Sequence, residues 1–212
     1  MVASVVFALP AHAVPPKARV LSSADVPASF GQTFSFDFSK KPIDYVKNVT
    51  LCTDSKGGPL AFIPASTPQY SAKNVMKPQK KNVFTSVNER VFVYPSAEAA
   101  AAAYTQLAQE VLKCTGTMAG PVDEDPKVSD TYANGSSPGG QYQNFWVQDS
   151  TVFKSKDPLQ DGKTVTFTVY SQAGDAVIQT DVYIDGRPRV KAAQKVDLQQ
   201  LSMTLSSKWA PQ

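Results

Sequence analysis

Val83-Phe84-Thr85-Ser86-Val87-Asn88-Glu89-Arg90-Val91-Phe92-Val93-Tyr94, then Pro95-Ser96, then the alanine-rich run from Ala97 to Cys114, is the stretch on which the fold turns. The first twelve residues are rich in β-branched and aromatic side chains, as a strand requires. Alternate residues of a strand face opposite ways. One side therefore carries Val83, Val87, Val91 and Val93, and the other Phe84, Phe92 and Tyr94 with Asn88 and Arg90. Pro95 has no N–H to donate and ends the ladder. Ser96 can then accept from the free N–H groups of a first helical turn, where Glu98 also suits the helix dipole. Ala97, Ala100 or Ala101, Tyr104, Leu107 or Ala108, Val111 and Leu112 recur at three- and four-residue steps, so a helix over Ser96–Cys114 is predicted, with Gly116 as its stop.

After the helix, residues 116–140 read as a long polar connection. Three strands in a meander are predicted next, at 141–153, 163–172 and 176–185, with Ala173-Gly174-Asp175 and Asp185-Gly186 as turns. Before the opening stretch, Thr33–Phe38 alternates aromatic and polar residues as a half-buried strand. Tyr45–Leu51 fits either a turn of helix or a short strand. Residues 59–79, with four prolines, read mainly as loop with an edge strand as the alternative. Beyond Asp197, the spacing of Leu198, Leu201, Leu205 and Trp209 predicts an amphipathic C-terminal helix. The fold class expected is α+β: a twisted antiparallel sheet with helices packed on one face.

The meander has two kinds of face. Phe145, Val147 and Phe153, with Val165, Phe167 and Val169 and with Ile178, Val182 and Ile184, form an apolar face suited to cover by the Ser96–Cys114 helix. Opposite them fall Asn144 and Gln148, Thr166 and Thr168, Gln179 and Asp181, together with Tyr142, Trp146, Tyr170 and Tyr183. Aromatics among amides and hydroxyls suit a small-molecule or glycan site. The same residues would also suit packing beneath the N-terminal segment or Trp209. The candidate ligand-binding set is Tyr142, Trp146, Tyr170 and Tyr183.

A chain of 212 residues with 42% hydrophobic content can bury one core, and is expected to form one domain over 14–212. A net charge of +3, evenly spread and with Lys40-Lys41 and Lys80-Lys81 only as isolated pairs, argues against nucleic acid as a partner. Val2–Leu9 is a short apolar run followed by Ala11-His12-Ala13, so residues 1–13 read as a signal peptide. The run is too short to span a bilayer, and no later stretch could cross one. Export makes Cys52 and Cys114 an expected disulfide, since an even count in an oxidising compartment favours pairing.

No catalytic set is visible. The single histidine, His12, lies in the signal peptide, which removes Ser-His-Asp and Cys-His chemistry and histidine-bound zinc from the mature chain. Asp123-Glu124-Asp125 lacks the alternating ligand spacing of an EF-hand, so no metal is expected. No cofactor motif is present. A carboxylate pair remains open as a hydrolase alternative, with Asp123, Asp125, Asp149 and Asp181 as the acids to test.

Leu21-Ser22-Ser23-Ala24-Asp25-Val26-Pro27 and Val91-Phe92-Val93-Tyr94-Pro95-Ser96-Ala97, with the alanines that follow and Cys114, resemble the PknH-like extracellular domain family of actinobacterial exported domains. That family includes the extracellular part of a mycobacterial receptor serine/threonine kinase. The resemblance implies an α+β domain with helices on one face of a sheet and a ligand-binding cleft, and Cys52–Cys114 is similar to one of the family's disulfides. It implies no catalytic residues. A second disulfide, a kinase domain and a membrane helix have no counterpart here. The function expected is an exported, non-enzymatic ligand-binding or sensor-like domain of the cell envelope. Its partner would be a small molecule or cell-wall component. A protein–protein module with an envelope protein as partner, using an exposed edge strand, is the third reading.

Overall fold

The computed structural model describes residues 21–25, 34–39, 41–42, 49–53, 58–62, 64, 67–76, 83–119, 125–139, 142–158 and 161–186. Ten strands and one α-helix run through them: β1 (Phe34–Phe38), β2 (Val49–Thr53), β3 (Pro59–Phe62), β4 (Gln69–Met76), β5 (Val83–Val93), α1 (Ala97–Val111), β6 (Gly116–Ala119), β7 (Lys127–Gly139), β8 (Tyr142–Lys154), β9 (Gly162–Ala173) and β10 (Ala176–Gly186). Eight strands form one antiparallel sheet in the order β1-β4-β5-β10-β9-β8-β7-β6, and β2 with β3 form a separate hairpin. The predicted α+β class holds.

The opening stretch folds as read. Ser96 accepts from the Ala99 N–H at 3.2 Å and caps α1. Ala100, Tyr104, Leu107, Ala108 and Val111 are its buried stripe. Cys114, just past the helix, is bonded to Cys52 of β2, with Cα atoms 5.7 Å apart. That bond ties the β2–β3 hairpin to the end of the helix. Phe62 of β3 adds an edge-on contact with Phe92 of β5, ring centroids 5.9 Å apart.

Two segments read as loop are strands. Residues 116–139 contribute β6 and the thirteen-residue β7, whose whole length pairs with β8. Residues 59–76 contribute β3 and β4, and β4 pairs with β1 and β5. Serines, glycines and prolines conceal these strands locally, because ladder hydrogen bonds to a long neighbour outweigh a weak strand propensity. Tyr45–Leu51 resolves in part: its last residues, from Val49, open β2. The meander lies where it is predicted, and Gly174 takes the positive φ of +56° in the turn between β9 and β10. Residues 1–13, Asp123 and everything after Gly186, and with them the C-terminal helix expected around Trp209, lie outside the described residues.

The faces need a larger correction. The ladder sets Phe145 opposite Tyr170, and Tyr170 opposite Gln179. Phe145 and Val147 therefore share a side with Tyr170, Thr168 and Asp181, not with Phe167 and Val169. A one-residue change of phase moves every side chain of a strand to the other face. β8 gives no local clue to its phase, because it carries aromatics on both faces. The helix also covers the side opposite to the one expected. The Tyr104 hydroxyl donates to the Tyr170 carbonyl at 2.8 Å, and its ring meets Phe145 at 5.6 Å. The aliphatic side is buried as well: Val87, Val91, Phe167, Val169, Ile178 and Val182 are all 0% exposed.

Candidate functional site

Strand register builds the site. Across the helix-bearing side, Tyr132, Asp149, Thr166, Tyr183 and Ser86 stand opposite one another on β7, β8, β9, β10 and β5. The neighbouring row is Asn134, Val147, Thr168, Asp181 and Asn88. A third is Ser136, Phe145, Tyr170, Gln179 and Arg90. The helix crosses this side on a diagonal. It covers Phe145 and Tyr170 in the third row, and its end reaches the second, where the Asn134 amide donates to the carbonyls of Leu112 and Cys114 at 3.3 and 2.7 Å. Among the described residues, a floor beside the helix is left partly uncovered, in which Asn88 is exposed and Ser86, Asp149, Thr166, Asp181 and Tyr183 are half-buried.

Asp181 anchors one end of the floor. Its carboxylate accepts from Thr168 Oγ1 at 2.8 Å and from Gln179 Nε2 at 2.9 and 3.0 Å. Burial raises its pKa, while those bonds and the Arg90 charge oppose the rise. Asp149 anchors the other end with far less support. Burial, and secondarily the charge of Asp130, push its pKa from 3.8 up to about 6. Its Oδ1 is buried without a hydrogen-bond partner in the protein, and so is Gln179 Oε1. Tyr132 closes the Asp149 end. Burial raises its pKa, and a hydrogen bond with Thr53 of the disulfide-tied hairpin opposes the rise.

The four expected ligand residues are not brought together. Tyr183 lies on the floor. Tyr170 is on the same side but 2% exposed beneath the helix. Trp146 is on the opposite side, stacked on Phe167 at 5.2 Å and lying over Gly135. Tyr142 opens β8 opposite Gly139. Of the acids, Asp149 and Asp181 reach the floor, whereas Asp125 is exposed in the loop before β7 and accepts from the Lys156 N–H. Ser86, Asn88, Arg90 and Tyr132 were not singled out as site residues. The signal for three of them was present: Ser86, Asn88 and Arg90 interrupt an otherwise aromatic side of β5. Among the described residues no cluster of three or more His, Cys, Asp or Glu side chains could hold a metal ion.

Fold and site together define an α+β domain on one antiparallel sheet, with a cross-linked helix over part of one side and a polar floor left open beside it. The chain belongs to the PknH-like extracellular domain family, whose profile matches residues 12–196. It is similar to the crystal structure of the extracellular domain of PknH from Mycobacterium tuberculosis, at 17% identity and a TM-score of 0.48, over 91% of this chain and 93% of that one. No curated protein matches the chain. The expected family resemblance is thus correct. The family is one of extracellular domains, and among the described residues no helix is long and apolar enough to cross a membrane.

Proposed function

We propose that the chain is an exported, non-enzymatic, sensor-like domain of the cell envelope that binds a ligand on the open floor beside α1. One observation supports this reading: among the described residues, part of the polar side of the sheet beside α1 is left uncovered, with Asn88 exposed and Ser86, Asp149, Thr166, Asp181 and Tyr183 half-buried. The signal peptide over residues 1–13 belongs to the same reading. Native mass spectrometry of the protein purified from its own host tests it. A co-purifying molecule, lost in an Asp149→Asn, Asn88→Ala double variant, is the expected result. If wild-type and variant carry nothing, or carry the same molecule equally, the floor is not a binding site.

A hydrolase is the second reading, favoured by one pair of acids. Asp130 and Asp149 are diagonal neighbours on β7 and β8, Cα atoms about 7–8 Å apart, and the charge of one helps raise the pKa of the other. Two neighbouring carboxyls, one of them with a raised pKa, are the arrangement of glycoside hydrolysis. Turnover of aryl glycosides that disappears in Asp149→Asn and in Asp130→Asn separately would establish this reading against the first.

A further inference from the structure

We infer that Asp149 and Tyr132 form a pH-sensitive latch, independent of any ligand: ionisation of Asp149 loosens the tie between Tyr132 and the β2–β3 hairpin, while the Cys52–Cys114 bond keeps the hairpin attached. The hairpin has two fastenings on adjacent residues. Cys52 is bonded to Cys114 just past α1, and Thr53 is hydrogen-bonded to Tyr132 of β7 through both its backbone and its side chain. Asp149 stands directly opposite Tyr132 on β8. Tyr132 is only 8% exposed and belongs to one core cluster with Leu51 and Cys52 of the hairpin and with Val147, the neighbour of Asp149 on the same side of β8.

A negative charge at Asp149 has nothing beside it to balance it. Its Oδ1 is buried without a hydrogen-bond partner, although the side chain as a whole is half-buried and can exchange protons with solvent. From β7 it is faced by Tyr132 and, diagonally, by Asp130; from β9 by the uncharged Thr164, Thr166 and Thr168; and along its own strand by Val147 and Thr151. β6 adds Gly116 and Met118 beyond Tyr132 and Asp130. The last turn of α1 carries Glu110, paired with Lys113 at 2.8 Å. Further off stand Asp181, two strands away on β10, and Arg90, three strands away on β5. A partly buried carboxylate without a facing cation favours its neutral form. Burial and the Asp130 charge accordingly push its pKa from 3.8 up to about 6. In the docked form Asp149 therefore keeps a proton that it loses once hydrated, so docking is fully favoured below about pH 4 and weakens as pH rises through about 6. Water relieves the ionised carboxylate, and it enters where Tyr132 and Thr53 part. A domain of an extracellular family meets the external pH directly.

Amide hydrogen exchange of the full, disulfide-bonded chain, followed by NMR between mildly acidic and neutral pH and corrected for intrinsic rates, tests the latch. Protection of the Thr53 amide should fall about tenfold as pH rises, a figure discounted for the partial exposure of Asp149, while the fully buried Val169 of β9 keeps its protection. Asp149→Asn should hold the acidic level of Thr53 protection throughout. Asp130→Asn should move the fall to lower pH, and Tyr132→Phe should leave Thr53 poorly protected at every pH. Circular dichroism establishes that each variant is folded. A fall that persists in Asp149→Asn overturns the latch by removing Asp149 from it. A fall matched at Val169 overturns it by making the effect global. Constant Thr53 protection in the wild type overturns it as well.

Discussion

The indole of Trp146 occupies the space that a side chain at its cross-strand partner Gly135 would need. A Cβ built on Gly135 would lie 2.6 Å from Cζ2 and 2.8 Å from Cε2 of that ring. The ring is also stacked on Phe167, centroids 5.2 Å apart, which limits its freedom to move. A glycine beneath a cross-strand aromatic is a recognised way of pinning register.

Gly135→Ala should therefore destabilise, although alanine is the better residue in most contexts. Overpacking of this kind costs about 1–3 kcal/mol. The check is urea unfolding together with the near-ultraviolet circular dichroism of Trp146. An unchanged midpoint and spectrum would show that the indole moves freely.

Removal of the Cys52–Cys114 bond should cost about 4 kcal/mol, from the entropy of the 62-residue separation that it closes. Unfolding midpoints with and without a reducing agent measure this, and the Cys52→Ser, Cys114→Ser double variant should match the reduced protein. The hairpin carrying Thr53 is the first element expected to loosen, seen as faster amide exchange in β2.

Stability should fall as pH rises from about 4 to about 6, to the extent that Asp149 controls it. Its carboxyl titrates near 6 when folded against 3.8 ordinarily, so in that window the native state holds a proton that the unfolded chain has lost. Below the window the cost is absent; above it the cost is complete. Asp149→Asn should then stabilise the protein at pH 7 and leave it unchanged near pH 3.5. Partial exposure screens the charge, which reduces the gain to on the order of 1–2 kcal/mol. Equal effects at both pH values would refute the assignment.

Tyr104→Phe should cost about 1 kcal/mol through the lost bond to the Tyr170 carbonyl, with the ring packing on Phe145 retained. Thermal unfolding measures it. A loss no larger than that of an exposed substitution such as Thr105→Ala would mean that the helix is held by apolar contact alone.

Much of this protein is local and was legible as such. Pro95-Ser96, the alanines and the period of Tyr104, Leu107 and Val111 specify the strand–helix unit, because breaks, caps and periodicity are properties of neighbours in the chain. The meander followed from Gly174-Asp175 and alternating residues. Cys52 and Cys114 could be paired because no other cysteines compete. β7 was not legible: Asn134-Gly135-Ser136-Ser137-Pro138 has a turn composition, and only its length of pairing with β8 makes it a strand.

The site was half legible for the same reason. Residue types alone single out Tyr183, Thr166, Thr168 and Asp181 as a polar stripe, and alternation within β9 and β10 keeps them on one side. Which side the helix takes, and which phase β8 adopts, are set by contacts between strands far apart in sequence. Those contacts move Trp146 to the other face, bury Tyr170, and bring Asp149 and Asn88 into line with Tyr183 and Asp181. The amino-acid sequence by itself determined the strand–helix unit, the meander, the cross-link and the family. Tertiary structure alone decided which residues face the open floor, because register between strands is a long-range choice that a period of two cannot encode.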